Sequence, residues 1–317
     1  MTALMLSAIL IGCRGGNVSP VNHVESVSSE NSTSSRPMRI VTDDLDRTIT
    51  VPTKINRVVS LAPSVTEMVF AAGGGDRLVG VTTFCNYPEE ANAIAKIGDT
   101  MNPNMESIVA LKPDIVLVST ASQIEAFTKT LEANGIAIYV TNPLRLTGVY
   151  HNLKQFGIMF DTYEMSRQVV DKLMDRESEV RSICDTIPTG DDEHEPSVQP
   201  VRVFVQISKE PLFTIGATSF LTELIRNAGG SSSTGNVETA YPKLSKETAL
   251  ALQPEAIILS DSPDNQEPNE VFKNSPAVKN GRVYKVNADL LSRPGPRLVD
   301  ALEQIAVFLH PDKFRNN

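Results

Sequence analysis

Two stretches of this chain repeat one another. Residues 104–119 read NMESIVALKPDIVLVS and residues 245–260 read SKETALALQPEAIILS, with Glu, Ala, Leu, Pro and Ser at matching offsets. Each stretch pairs an amphipathic helical segment with a short apolar run, and such a run is typical of a strand that is buried on both faces. The repeat has an offset of 141 residues (247 − 106). It predicts two lobes of similar α/β fold within one chain.

The segments around the repeat alternate in the same way. The first half contains four short β-branched runs, and helical patterns separate them: RVVSLAP, LVGVT, DIVLVS and IAIYV. The pattern restarts at residue 201 with three more runs: VRVFVQI, AIILS and RVYKV. Strand and helix in alternation favour a parallel sheet that helices cover on both faces. We therefore expect an α/β fold with one parallel-type sheet in each lobe.

A single long helix is predicted between the lobes. The segment TYEMSRQVVDKLMDRESEVRSIC places apolar residues at helical spacing: Met165, Val169, Leu173, Val180 and Cys184. About 20 helical residues span roughly 30 Å, which is enough to run along both lobes as a rigid brace. The predicted divisions are an N-terminal lobe (38–150), the inter-lobe helix region (151–185), an acidic loop (186–200) and a C-terminal lobe (201–317).

The first helix of the N-terminal lobe carries a recognisable cap pattern. Ser64, Val65, Thr66 and Glu67 match the capping box, in which Ser is the N-cap and Glu reaches back three residues later. We expect Glu67 to act as a capping residue. Three glycines, 73–75, are expected to end this helix.

The beginning of the sequence predicts export. MTALMLSAILIGC is a short apolar run whose last four residues resemble a bacterial lipobox, with Cys13 as the lipidated residue. Residues 14–37 are mostly polar and rich in Ser and Asn, as expected of a flexible tether behind an anchor. An ordinary signal peptide is the alternative interpretation, and it also implies export. Cys85 and Cys184 are expected to be free, buried thiols, with an exported disulfide as the alternative.

Composition and motifs argue against several functions. A formal charge of −9 disfavours nucleic acid and anionic lipid as main partners. The sequence lacks GxSxG, HExxH and GxxxxGK[ST] motifs, and its four histidines are not clustered. We therefore predict no catalytic residues, no metal site and no resident cofactor.

Three segments in order resemble the periplasmic cobalamin-binding proteins of ABC importers: RVVSLAPSVTEMVFAAGGGDRLVGVTTFCNYPEEA, NPNMESIVALKPDIVLV and SRPGPRLVDALE. The resemblance covers roughly residues 39–309. It implies two α/β lobes joined by one rigid helix, with a ligand cleft between them. That family belongs to a wider group that also carries ferric siderophores and haem.

The resemblance implies a set of ligand-binding residues. They are Phe84, Thr100, Tyr241, Asp289 and Arg293. Tyr241 stands where the cobalamin proteins carry Trp, and Thr100 and Ser119 fall where that family can have Trp. The alternatives are core packing for Phe84 and Tyr241 and an ordinary surface charge for Arg293. Tyr87 is expected to pack under its own loop.

The twin glutamates of the repeat, Glu106 and Glu247, match positions where the cobalamin proteins meet arginines of the membrane-spanning subunits. From the residues alone, a carboxylate in the first turn of a helix is explained by the helix dipole, which such a charge stabilises by about 0.3–1 kcal/mol. The resemblance implies permease docking instead.

Together these features predict a lipid-anchored solute-binding protein that delivers a corrinoid, cobalamin or cobinamide, to an ABC importer. A ferric siderophore or haem carrier is the alternative, and an exported enzyme using the same cleft is a third possibility.

Replacing Cys13 with Ala should release the protein from membranes and leave ligand affinity unchanged, because the tether contributes nothing to the predicted lobes. Cell fractionation followed by ligand titration checks both parts. Wild-type protein that fractionates as soluble would contradict the lipobox prediction.

Overall fold

The computed structural model describes residues 36–120, 124–186 and 199–315, without the side chains of residues 124–127. The predicted lipobox with Cys13, almost all of the tether, and residues 187–198 of the acidic loop lie outside the described residues. Predictions about them are not addressed by the fold.

The described chain begins with an antiparallel hairpin that the sequence did not reveal, formed by β1 (Met38–Thr42) and β2 (Thr48–Pro52). Buried Asp43 closes its turn by accepting hydrogen bonds from the backbone of Leu45 and Arg47. The same carboxylate accepts a 3.1 Å bond from the backbone of Val140. Asp44 adds to this attachment, because its backbone donates to the Val140 carbonyl oxygen and its carboxylate accepts from the backbone of Asn142.

The N-terminal lobe contains a four-stranded parallel sheet. Its strands are β3 (Val58–Ser60), β4 (Leu78–Val81), β5 (Ile115–Ser119) and β6 (Ala137–Thr141), in the order β4-β3-β5-β6. Its helices are α1 (Pro63–Ala71), α2 (Met105–Ala110) and α3 (Ile124–Ala133), with short 3-10 turns at Gly75–Arg77 and Glu89–Ala93. The four predicted strands of this lobe are confirmed.

Two helices lead from this lobe to the next: α4 (Leu146–Met159) and α5 (Tyr163–Asp185). Helix α5 has 23 residues and confirms the predicted long helix. Helix α4 was not predicted, and the predicted lobe boundary at residue 150 falls inside it.

The C-terminal lobe repeats the parallel sheet. Its strands are β7 (Val201–Gln206), β8 (Gly230–Ser232), β9 (Ala256–Asp261) and β10 (Val283–Asn287). Its helices are α6 (Phe220–Asn227), α7 (Lys246–Leu252), α8 (Pro276–Lys279), α9 (Ala288–Ser292), α10 (Leu298–Leu309) and α11 (Pro311–Phe314). A short 3-10 turn lies at Glu270–Phe272. The sheet order is β10-β9-β7-β8.

The two sheets share one topology. In each, the second strand in sequence lies on one side of the first, and the third and fourth strands lie on the other. The repeated sequence forms the same unit in both lobes, α2 with β5 and α7 with β9. The prediction that the repeat marks two similar lobes is confirmed.

Strand alternation explains why the repeated runs are apolar throughout. In β5, Ile115 and Leu117 join the core that extends through both lobes, whereas Val116 and Val118 join a separate cluster on the other face. Successive residues of a strand point to opposite faces, so a strand covered on both sides needs apolar residues at every position.

Helix α5 contacts both lobes. On the N-terminal side, Tyr150 of α4 donates a 2.8 Å hydrogen bond to Glu177 of α5. On the C-terminal side, Arg176 of α5 forms ion pairs with Asp300 and Glu303 of α10, at 2.7 and 2.6 Å.

The apolar face of α5 differs in part from the prediction. Met165 is 54% exposed, and Val169 is only partly buried. The buried face of α5 carries Ser166, Val170, Leu173, Val180 and Cys184. Cys85 and Cys184 are both free and buried, which confirms the thiol prediction.

The start of α5 packs closely on α4 because Gly157 has no side chain. A Cβ at position 157 would lie 1.9 Å from the Oγ of Ser166 and 2.6 Å from its Cβ. This approach is only possible with glycine, since real Cβ atoms do not come so close to other heavy atoms.

Replacing Gly157 with Ala should therefore destabilise the protein by about 1–3 kcal/mol, the usual cost of overpacking. Urea denaturation monitored by circular dichroism measures the change. Combining the substitution with Ser166→Gly should recover part of the loss, because it removes the two closest atoms. Gly157→Ala with wild-type stability would show that α4 and α5 separate without cost.

Candidate functional site

A cavity of about 750 Å³ lies between the two lobes. Both parallel sheets contribute to it through their carboxyl ends: Ser119 and Thr120 follow β5, Ser260 lies at the end of β9, and Asp289 follows β10. Ligands of open α/β sheets bind at this edge because the loops there are free to differ without disturbing the strands. The cavity is therefore the candidate binding site.

The five predicted ligand-binding residues all line this one cavity: Phe84, Thr100, Tyr241, Asp289 and Arg293. Phe84 and Tyr241 are 59% and 43% exposed, so their rings are available and the alternative of core packing is wrong. The structure brings the set together, and a role for each residue in binding stays a prediction.

Other residues that line the cavity were not predicted from the sequence, among them Asn142, Leu144, Ile207 and Phe220. Asn142 and Ile207 come directly after β6 and β7. Position after a predicted parallel strand is the signal that could have found these two. Thr120 donates a 2.7 Å hydrogen bond to Asn142, which links the loops after β5 and β6.

The prediction that Glu67 caps helix α1 is wrong. The helix begins at Pro63 with Ala62 as N-cap residue, and no side chain accepts a capping hydrogen bond. Proline is favoured at the first helical position because its fixed φ suits the helix and it has no N–H to satisfy. That start places Glu67 in the second turn, where it is buried.

Glu67 instead pairs with two arginines of the other lobe. Its Oε1 accepts from Arg293 Nη1 at 3.0 Å and from Arg297 Nη2 at 2.6 Å, and its Oε2 accepts from Arg297 Nε at 2.8 Å. Asp289 pairs with Arg293 Nη2 at 2.7 Å. We call Glu67, Asp289, Arg293 and Arg297 the inter-lobe ion cluster.

Arg293 is the most enclosed arginine of this cluster. Its side chain is 9% exposed, so the alternative of an ordinary surface charge is wrong. It also donates to Asn86 Oδ1 at 2.8 Å and to the carbonyl oxygen of Phe84 at 3.3 Å. Glu67, Asn86 and Phe84 belong to the N-terminal lobe, so this guanidinium joins the lobes beside the cavity.

Tyr87 does not pack under its loop as predicted. It is 47% exposed, and its ring lies 4.0 Å from the guanidinium carbon of Arg297 in a cation–π contact. The pKa of Arg297 is raised: burial lowers it, but the hydrogen bond and the charge of Glu67 outweigh that effect. Arg297 therefore remains charged.

The twin glutamates of the repeat occupy equivalent places. Glu106 and Glu247 are exposed second residues of α2 and α7. Asn104 caps α2 by accepting from the backbone of Ser107 at 2.9 Å, and Ser245 caps α7 in the same way with Thr248 at 3.1 Å.

The surroundings of Glu247 favour its charged form. The backbone N–H of the residue itself and the Ser245 hydroxyl donate to its carboxylate and lower its pKa. Glu106 and Glu247 both lie exposed at the amino-terminal end of a helix, an arrangement that suits the helix-dipole interpretation and the docking interpretation alike.

Within the described ranges, no group of three or more His, Cys, Asp or Glu residues is placed to hold a metal ion. The helices of the described chain include none that is long and apolar enough to cross a membrane.

The sequence matches the Periplasmic binding protein family over residues 58–290. It is 31% identical over 320 residues to YvrC of Bacillus subtilis, an uncharacterized ABC transporter substrate-binding lipoprotein, with 99% of this chain and 97% of YvrC covered.

Solved structures share the fold. The periplasmic vitamin B12 binding protein BtuF of Vibrio cholerae superposes with a TM-score of 0.69 at 26% identity, covering 82% of this chain and 99% of BtuF. A possible iron-binding periplasmic solute-binding protein of Staphylococcus epidermidis gives a TM-score of 0.67 at 25% identity, covering 81% and 99%.

Proposed function

We propose that this chain, which belongs to the periplasmic binding protein family, binds a corrinoid in its inter-lobe cavity. Membership of the family makes it the solute-binding component of an ABC importer and not an enzyme. A small molecule and the membrane-spanning subunits of that importer are its partners. The identity of the small molecule is the part that we propose.

The observation that carries the proposal is the charge of the cavity. Among the described lining residues only Asp289 and Arg293 are charged, and they pair with each other at 2.7 Å. The remainder of the lining is apolar or carries hydroxyl and amide groups. A corrinoid has a flat apolar face and a rim of neutral amides, so such a lining can contact the face and hydrogen-bond the rim.

Exposed rings supply the surface for that flat face. Phe84 projects from the N-terminal lobe and Tyr241 from the C-terminal lobe, and both line the cavity. Aromatic side chains contribute large contact areas with little loss of conformational entropy. The similarity to a vitamin B12 binding protein of known structure supports the same ligand class.

The alternatives fit these residues less well. Haem iron is held in proteins by His, Cys, Met or Tyr, and among the described lining residues only Tyr241 is of these types. Among the described lining residues, Tyr241 is thus the one side chain that haem iron could use, and no His, Cys or Met stands beside it. Anionic ferric siderophores call for cationic side chains, and the lining arginine is paired with Glu67 and Asp289.

Export and anchoring are also part of the proposal. The lipobox-like sequence ending at Cys13 and the similarity to a lipoprotein support a lipid anchor on the outer face of a membrane. Glu106 and Glu247, one on each lobe, are proposed to pair with arginines of the permease. Two separated charge-assisted pairs would fix the orientation of the docked protein.

Titration calorimetry with cyanocobalamin, cobinamide, haem and a ferric hydroxamate tests the ligand. Saturable binding is expected with the corrinoids, and Tyr241→Ala should weaken it by about ten- to hundredfold, since an aromatic contact of roughly 1.5–3 kcal/mol is lost. Tyr163→Ala is the matched control, because Tyr163 is 44% exposed at the start of α5 and does not line the cavity. Tighter binding of haem or of the ferric chelate would reject the corrinoid.

Charge reversal tests docking separately. Glu106→Arg and Glu247→Arg should each weaken binding to the reconstituted transporter by roughly thirtyfold or more. Both should leave corrinoid affinity unchanged, because the glutamates do not line the cavity. Glu164→Arg is the control, since Glu164 is also an exposed first-turn glutamate, in α5. If the control weakens docking equally, or if the twin variants lose ligand affinity instead, the assignment fails.

A further inference from the structure

We propose that Glu67 is a specificity-determining residue that keeps the ligand cavity electrically neutral and so disfavours anionic ligands. The inference deepens the proposed function and rests on it for the choice of corrinoid as ligand. It concerns a residue that does not line the cavity and acts through Arg293, which does.

Both terminal nitrogens of Arg293 have partners within the protein. A guanidinium has two N–H bonds on each terminal nitrogen. Nη1 meets Glu67 and Asn86, and Nη2 meets Asp289 and the Phe84 carbonyl oxygen. These contacts are three hydrogen bonds and, with Asp289, one ion pair. A ligand carboxylate that approached these nitrogens would have to compete with partners already in place.

The inter-lobe ion cluster holds two arginines and two carboxylates, so its net charge is zero. Glu67 is the shared partner, because it accepts from both Arg293 and Arg297. Without its carboxylate the cluster would carry one net positive charge beside the cavity, with Arg293 partly released from its contacts.

The two charges that line the cavity are not equally exposed to a ligand. Asp289 is the more exposed charge of the Asp289–Arg293 pair, with 34% of its side chain accessible against 9% for Arg293. A ligand therefore meets a carboxylate more readily than a guanidinium. Neutral amides of a ligand can hydrogen-bond to an exposed carboxylate, whereas a ligand carboxylate is repelled by it or left without a partner.

Glu67 also ties the lobes together, and this second effect must be separated from the first. It lies on α1 of the N-terminal lobe, whereas Arg293 and Arg297 lie between α9 and α10 of the C-terminal lobe. Loosening the lobes would weaken every ligand alike. A change of charge would instead alter the ratio of affinities for a neutral ligand and its anionic counterpart.

The experiment uses two matched ligand pairs. One is cyanocobalamin and its monocarboxylic acid, in which one edge amide is a carboxylate. The other is haem dimethyl ester and haem with free propionates. Calorimetry on the purified full chain gives the neutral-to-anionic affinity ratio for the wild type, Glu67→Gln, and the double variant Glu67→Gln/Arg293→Gln.

Wild type should prefer the neutral member of each pair that it binds. Glu67→Gln should shift the ratio toward the anionic member by roughly tenfold or more, given the Coulomb energy of one partly desolvated charge. The double variant has no net charge in the cluster and should recover the wild-type ratio. Should Glu67→Gln fail to fold, Asp289→Asn removes the other carboxylate and should shift the ratio in the same direction.

Glu177→Gln is the matched control. Glu177 is a mostly buried carboxylate that contacts Tyr150 and Asn227, one from each lobe, but it does not line the cavity. The substitution Glu177→Gln also removes one negative charge from the chain, and the neutral-to-anionic affinity ratio of this variant should equal that of the wild type.

The inference is overturned if Glu67→Gln weakens binding of the neutral and the anionic ligand equally, or if Asp289→Asn leaves the affinity ratio unchanged. It is also overturned if the Glu177→Gln control shifts the affinity ratio, or if the wild type binds the anionic ligands more tightly. Failure of the proposed function is distinct. In that case cyanocobalamin does not bind, while the haem pair still shows the predicted ratios. Wild type that binds no member of either pair overturns both.

Discussion

The hydrophobic core that extends from one sheet to the other fixes the geometry of this protein. Residues from both lobes and from helices α4 and α5 belong to one continuous cluster. The lobes therefore do not meet as independent bodies with a wet interface. The contact of Gly157 with Ser166 and the ion pairs of Arg176 position α5 against each side. A shared core of this kind opposes movement of one lobe against the other, and a cleft with little movement to lose on binding has a lower entropic cost of binding.

The inter-lobe ion cluster adds a second connection, of a different kind. Buried charges are expensive to desolvate, and a buried ion pair is weak evidence for stability because apolar residues of the same volume often serve as well. A buried carboxylate that two arginines share is better explained by what it specifies. Here it determines which lobe surfaces meet beside the cavity and what charge a ligand finds there.

The arginine that lines the cavity belongs to this ion cluster. Arg293 matches a ligand-binding position by resemblance, and it does line the cavity. Its terminal nitrogens nevertheless have protein partners. Arg293 is better described as part of the cavity wall than as a side chain that is free to bind the ligand. A neutral wall with exposed rings fits a ligand whose recognition depends on apolar contact and amide hydrogen bonds.

Much of the fold could be read from the sequence because its signals are local. The four strands of the first sheet, three strands of the second, the long helix and the duplicated α/β unit follow from apolar periodicity, and none of them needs knowledge of distant contacts. Strand β8 was not predicted, because Gly230–Ser232 carries no apolar side chain. The hairpin of β1 and β2 was missed because distant contacts attach it, among them the bond of Asp43 with Val140, 97 residues away. Met165 was assigned to the buried face of α5, since periodicity cannot say which apolar residue of an end turn faces solvent.

The features of the site also divide into those that the sequence predicted and those that it did not. The sequence by itself determined that two similar parallel sheets exist, and parallel sheets bring loops together at their carboxyl ends. The resemblance to the cobalamin-binding proteins, and not the topology, then placed Phe84, Tyr241 and Asp289 at the ligand cleft. Only the tertiary structure decided the role of Glu67. In sequence it completes a capping box, a pattern four residues long. Its actual partners lie more than 220 residues away, and a buried charge selects its partners by proximity in space, which no local pattern records.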